Sequence, residues 1–183
     1  MHPSAMQNCI RFFETYGKYK ESGLVIDIGS QDVNGKLKDI VPDRFEYVGL
    51  DFEKAPNVDV VLTDPYKLPY EDKSVDIVLS SSCLEHSELF WLSFREMVRV
   101  AKPDGLIYLN VPSAGPHHPY PVDCWRFRID AAVALMKWAR HEGYATALLE
   151  AYTDPDPPWH DLVCIYAADM ALVDQYQDRI DYP

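Results

Sequence analysis

A chain of 183 residues, 48% hydrophobic and 25% charged, has the length and composition of one compact soluble domain rather than of a disordered segment. Its 29 acidic against 17 basic side chains give a net charge of -12, and with no Lys/Arg run it lacks the electrostatic footprint of a nucleic-acid or membrane-surface binder. Cys9, Cys83, Cys124 and Cys164 lack Cys-x-x-Cys spacing, no basic leader precedes an apolar stretch, and no apolar run approaches the roughly 20 residues that cross a bilayer, so a reduced, cytoplasmic protein is expected.

Met6, Cys9, Ile10, Phe13 and Tyr16 recur at three- and four-residue intervals, which predicts an opening helix over Ser4 to Lys20. Leu24 to Ile28 follows as a short strand, apolar enough to be covered on both faces. Further strand candidates are Glu46 to Leu50, Val58 to Leu62, Ser74 to Leu79, Gly105 to Val111, Tyr144 to Ala151 and Leu162 to Ala168, seven in all. Between them Ser87 to Ala101 and Ile129 to Glu142 read as helices, the first stopped by the turn Lys102-Pro103-Asp104-Gly105 and the second by Gly143. The alternation predicts an α/β fold: a doubly wound, mainly parallel seven-stranded sheet with helices on both faces. One connection is short. Only Asp51 to Asn57 separates the second and third strands, whereas a parallel crossover normally takes a dozen residues or more. Either the third strand is a short edge with an extended crossover, or the pairing is different. The stretch Asp154-Pro155-Asp156-Pro157-Pro158 reads as a hairpin-like loop between the last two strands.

In such a sheet ligands bind beyond the carboxyl ends of the strands, where the winding reverses. Gly29-Ser30-Gln31-Asp32-Val33-Asn34-Gly35 leaves the first strand there, and Asp51 ends the second, placed to accept hydrogen bonds from ribose hydroxyls. Glycine at 29 would let a ligand approach the backbone closely. The loop lacks Gly-x-Gly-x-x-Gly, which speaks against a nicotinamide dinucleotide.

Val25-Ile26-Asp27-Ile28-Gly29, Asp51, Leu62-Thr63-Asp64 with Leu68-Pro69-Tyr70, Ser74-Val75-Asp76-Ile77-Val78, Ser81-Ser82-Cys83-Leu84-Glu85-His86 and Glu96 to Ile107 occur in the order of the class I S-adenosylmethionine-dependent methyltransferase motifs. Over residues 24 to 113 the chain resembles the small type 11 branch of that family. The resemblance implies a Rossmann-like methyltransferase fold, a single domain over 1–183, and S-adenosylmethionine as cofactor. Residues 1–23 would be an N-terminal helix, 24–113 the donor-binding half, and 114–183 a substrate loop with the C-terminal strands. It implies that Asp27 and Gly29, with Ser30 and Gln31, flank the methionine moiety and that Asp51 holds the ribose. Phe52 would pack beside adenine, Thr63 and Asp64 would meet its edge, and Ser81 or Ser82 would face the reaction centre. Gln31 and Val33 depart from the family's alternating glycines. The Gln31 amide could hydrogen-bond the donor, or the loop has lost the cofactor and the domain is a catalytically inactive binding module.

A second constellation, His117-His118-Pro119-Tyr120-Pro121-Val122-Asp123-Cys124-Trp125-Arg126-Phe127, follows the fifth strand, where a substrate lid belongs. It resembles a His-Pro-Tyr-x-x-Asp-x-Trp-Arg-Phe stretch of small methyltransferases associated with glycan assembly, which implies a small-molecule or glycan acceptor and substrate contacts from Tyr120, Asp123, Trp125 and Arg126. His86, His117 and His118 are the candidates for taking a proton from an acceptor hydroxyl. The adjacent histidines raise the question of a metal, but no third ligand follows at zinc-like spacing, so none is expected.

Overall fold

The computed structural model describes residues 2–180; the two ends of the 1–183 span, Met1 and residues 181–183, lie outside the described residues. All seven predicted strands form: β1 (Gly23–Ile28), β2 (Phe45–Asp51), β3 (Val60–Val61), β4 (Val75–Ser81), β5 (Ala101–Val111), β6 (Ala147–Thr153) and β7 (Leu162–Ala167). They make one sheet in the order β3-β2-β1-β4-β5-β7-β6. The first five in that order are parallel, and β7 runs antiparallel to both neighbours.

Among the described residues three helices cover the sheet: α1 (Pro3–Thr15), α2 (Phe90–Val100) and α3 (Asp130–His141). The period-two alternation of the strands divides the core in two. Val78, Ile107 and Leu109 face Phe94 and Met97 of α2 and Ala132 and Leu135 of α3. Ile77, Leu79 and Tyr108 face Cys9, Phe12 and Phe13 of α1. The expected helices on both faces are therefore present, but the α1 face is covered by a helix that precedes β1. The β1-to-β2 connection contains only a 3-10 turn, Leu37–Asp39, whose Leu37 packs into the same cluster.

The short connection after β2 resolves as an edge strand. β3 pairs in parallel through Leu50 with Val60 and Asp51 with Val61. Asp59 makes so tight a crossover possible, because its amide donates to the Gly49 carbonyl at 2.8 Å while its carboxylate accepts from the Gly49 amide, also at 2.8 Å. One side chain thus does the ladder pairing that a longer strand would supply.

The turn expected after α2 is a bulge instead. Ala101 already pairs with Val75, and the next partners are Ile77 and Leu106, so Lys102, Pro103, Asp104 and Gly105 stand opposite Asp76 alone. Asp76 anchors the excursion by accepting from Lys102 Nζ and from the Leu24 amide, both at 2.8 Å. The loop between β6 and β7 joins an antiparallel pair, as its proline content implies, and closes through the Asp154 amide on the Asp161 carbonyl at 2.7 Å. Among the described residues no helix is long and apolar enough to cross a membrane.

Candidate active site

The loops at the carboxyl ends of β1, β2, β3, β4 and β5 surround one cavity of about 1060 Å³, which the β6–β7 loop and the start of α1 complete. Of the residues singled out from the sequence, Gly29, Gln31, Asp51, Phe52, Thr63, Ser81, Ser82, His86, His118 and Tyr120 line it.

On the side of β1 and β2 the Asp51 carboxylate is the fixed point. Its two oxygens accept from the Gln31 amide at 3.2 Å and the Phe52 amide at 2.7 Å, and burial raises its pKa against those backbone donors. Phe52 beside it is 48% exposed and offers apolar surface to the cavity. Gly29 turns the chain at φ 81°, and a Cβ there would lie 2.4 Å from Cys83 Sγ. The glycine is thus required by a neighbouring side chain, whatever approaches it from the cavity.

Three implied donor contacts lie behind or beside the wall rather than in it. Asp27 is 2% exposed and points to the α1 face, where Tyr47 Oη donates to it at 2.7 Å. Ser30 donates to the Asn57 carbonyl at 3.1 Å. Asp64 is exposed and accepts from the Tyr66 amide at 2.8 Å, holding the turn after β3, so that Leu62, Thr63, Pro65 and Tyr66 form that part of the wall.

Burial, with the charge of Asp51 adding to it, raises the Asp27 pKa from 3.8 to about 7 despite the Tyr47 hydrogen bond. Between those values the folded chain holds a proton that the unfolded chain has lost, so stability falls as pH rises through the window. Asp27→Asn cannot ionise and keeps an oxygen for Tyr47. Its stability relative to the parent should therefore increase between pH 4 and pH 8, by on the order of 2–4 kcal/mol in urea titrations. A difference independent of pH would show that Asp27 is ionised throughout.

On the side of β4 and β5 the wall is built from Glu85, His86 and His118. Glu85 is 1% exposed, and its Oε2 has no hydrogen-bond partner. Burial pushes its pKa up to about 8, with Asp161 contributing in the same direction against its own backbone amide and Arg126. The Glu85 carbonyl accepts from the Cys124 amide at 2.7 Å and ties down the long loop after β5. His86 Nδ1 lies 2.5 Å from the Val122 carbonyl and can only donate to it, which leaves Nε2 as an open lone pair 3.6 Å from Glu85 Oε1. Burial holds the His86 pKa below its ordinary value, so the ring is neutral near pH 7. His118 sits edge-on to His86 with ring centroids 4.9 Å apart and packs on Trp159 at 4.4 Å.

The rest of the long loop braces these groups. Asp123 takes a two-pronged pair from Arg126, at 2.5 and 2.8 Å, and accepts from the His118 amide at 2.8 Å; the guanidinium holds its carboxyl well below the usual range. Trp125 donates from Nε1 to the Ser87 carbonyl at 2.9 Å and meets Phe90 edge-on. Asp123, Trp125 and Arg126 therefore position the loop from outside the cavity, and His117 is exposed beside them in a separate small hollow. Tyr120 reaches across, its hydroxyl accepting from Gln31 Nε2 at 3.0 Å and joining the first and fifth strands' loops.

Sequence reasoning passed over four wall residues: Glu85, His2, Trp159 and Asp161. Glu85 lies inside the Ser81 to His86 motif and could have been found there. His2 and Asp161 meet only in space, His2 Nε2 lying 3.1 Å from Asp161 Oδ2, to which Asn110 Nδ2 also donates at 2.8 Å. Asp161 Oδ1 and the Ser81 hydroxyl are, like Glu85 Oε2, buried without partners.

Among the described residues no Lys or Arg lines the cavity, while three buried acids do: Asp51, Glu85 and Asp161. That wall suits a cationic, phosphate-free nucleoside and gives an anionic cofactor nothing to pair with. The methyltransferase domain family matches residues 32–109. A Mycobacterium tuberculosis protein described as an uncharacterized methyltransferase is 41% identical over 69 residues, covering 38% of this chain and 27% of the relative. The chain is similar to the class I S-adenosylmethionine-dependent methyltransferases over residues 32–109. It spans about a quarter of the length of that mycobacterial relative. Two solved structures share the methyltransferase fold at low identity. YcgJ from Bacillus subtilis is 19% identical with a TM-score of 0.62, covering 83% of this chain and 73% of its own. The 1,6-didemethyltoxoflavin-N1-methyltransferase of Burkholderia thailandensis, solved with S-adenosylhomocysteine, is 14% identical with a TM-score of 0.67, covering 89% and 77%. S-adenosylmethionine is the donor of this family. Asp51, the half-exposed Phe52 and the unpartnered Ser81 hydroxyl are the groups of the cavity wall that fit it.

Proposed function

We propose that this methyltransferase domain transfers a methyl group from S-adenosylmethionine to a small molecule or a glycan. The observation that supports the reading is continuity: one cavity runs from Asp51 and Phe52 to Glu85, His86 and His118. When bound, the donor supplies a methyl group activated by its sulfonium. Asp51 accepts from ribose hydroxyls, Phe52 covers the base, and Ser81 and Ser82 stand between the two ends. Methyl transfer is an in-line displacement whose main demand is orientation, so the loop braced by Asp123 and Arg126 contributes by holding an acceptor still, and a separate base is not obligatory. The long loop's resemblance to its glycan-associated counterpart favours a hydroxyl-rich acceptor, and the acidic wall suits one that can donate hydrogen bonds.

A second reading, an inactive binding module, has one feature in its favour: Gln31 spends its amide on Tyr120 instead of leaving the loop open. Calorimetry separates the two. Binding of S-adenosylmethionine and S-adenosylhomocysteine is the expected result, and failure of both to bind would leave only the module.

A further inference from the structure

We propose that Glu85, His86 and His118 form a binding site for one divalent first-row transition-metal ion at the acceptor end of the cavity. The ligand atoms of the three residues all lie within 4.8 Å of one another. Bonds of about 2.0–2.2 Å to a common ion would draw such atoms to roughly 3–3.5 Å apart, a small rotamer adjustment. His86 donates Nδ1–H to the Val122 carbonyl at 2.5 Å. His118 Nδ1 lies 3.1 Å from the Pro116 carbonyl and 3.3 Å from the Asp123 carboxylate, two acceptors against one nearby donor, Arg126 at 3.2 Å. Both rings are thus held by the outer-shell contact that metal-binding histidines use, which turns Nε2 toward the ligand.

Glu85 supplies the independent observation. It is 1% exposed and has an unpartnered oxygen in the cavity wall. Its other oxygen lies 3.6 Å from the His86 Nε2 lone pair, so oxygen and nitrogen face a common point without a hydrogen bond between them. A cation at that point would displace the carboxyl proton and take up both lone pairs. Two imidazoles and one carboxylate suit zinc, iron, cobalt, nickel or manganese better than magnesium or calcium, which prefer all-oxygen shells. Three protein ligands leave positions open toward the cavity, where an acceptor hydroxyl could ligate and release its proton to water more readily than when free. The tandem His117-His118 hides this site in the sequence, because its two rings part and the partners of His118 come from the loop after β4.

The test uses the tag-free full chain, stripped by a chelator and titrated calorimetrically with Zn²⁺, then with Co²⁺ to read coordination from its visible bands, and with Mg²⁺ as the hard-cation control. One zinc per chain at about micromolar affinity or tighter is expected. Glu85→Gln and His118→Ala should each weaken binding by at least about tenfold, with His117→Ala unaffected. Should Glu85→Gln fail to fold by circular dichroism, His118→Ala, whose side chain is 33% exposed, carries the same test. No zinc uptake by the parent, uptake undiminished in the folded variants, or equal uptake of Mg²⁺ would overturn the site. S-adenosylhomocysteine binding measured on the same samples keeps the questions apart: binding without zinc uptake removes the metal alone, and zinc uptake without it removes the donor reading alone.

Discussion

Asp51→Ala should weaken S-adenosylhomocysteine binding by at least tenfold, the largest effect expected of any single change on the donor side. A hydrogen bond to a charged group contributes about 1.5–3 kcal/mol, and tenfold in affinity corresponds to about 1.4 kcal/mol. Losing one such bond to a ribose hydroxyl is therefore enough, and the alanine also releases the Gln31 and Phe52 amides that the carboxylate now orders. Asp51→Asn keeps one acceptor and should fall between the parent and the alanine variant. Unchanged affinity in Asp51→Ala would remove the residue from the ribose site, whatever else the domain binds.

Gly29→Ala should cost about 3 kcal/mol of folding stability. A side chain at φ 81° costs roughly 1–2 kcal/mol, and the added methyl would lie 2.4 Å from Cys83 Sγ and 2.5 Å from Cys83 Cβ. Overpacking of that kind costs about 1–3 kcal/mol. The two contributions separate in a double-mutant cycle: adding Cys83→Gly removes the clash but not the backbone strain, so the pair should be less destabilised than the sum of the single changes. Additive behaviour would mean that the loop moves away from Cys83, and a melting temperature unchanged in Gly29→Ala would mean that the turn is not built as described.

What could be read from the sequence follows from which interactions are local. Leu24 to Ile28 and Ser74 to Leu79 announce themselves because central parallel strands are apolar on both faces. Asp51 follows from the strand-end topology, and Phe52, Ser81 and Ser82 from the resemblance of the motif series. Lys102 to Gly105 carries turn chemistry that a bulge uses equally well, and only the partner Asp76 distinguishes them. Asp27 alternates with Ile26 and Ile28 and so faces α1, a direction that a motif alone does not give. The place of Asp64 in the motif series does not show its local partner, the amide of Tyr66 two residues on. His2, Glu85 and Asp161 come from three distant segments, and no pattern within any one of them records the meeting.

β7 slots between β5 and β6, although both precede it in the chain. Until residues 162–167 are synthesised, those two strands expose facing edges with unsatisfied backbone groups, the kind of edge that recruits other chains. Aggregation during biosynthesis should therefore concentrate in the interval before the last strand emerges. Ligand competence also arrives late: a nascent chain already possesses Asp51 and Phe52 long before Trp159 and Asp161 close the opposite wall, so the half that would grip a donor exists in advance of the half that would seat its acceptor.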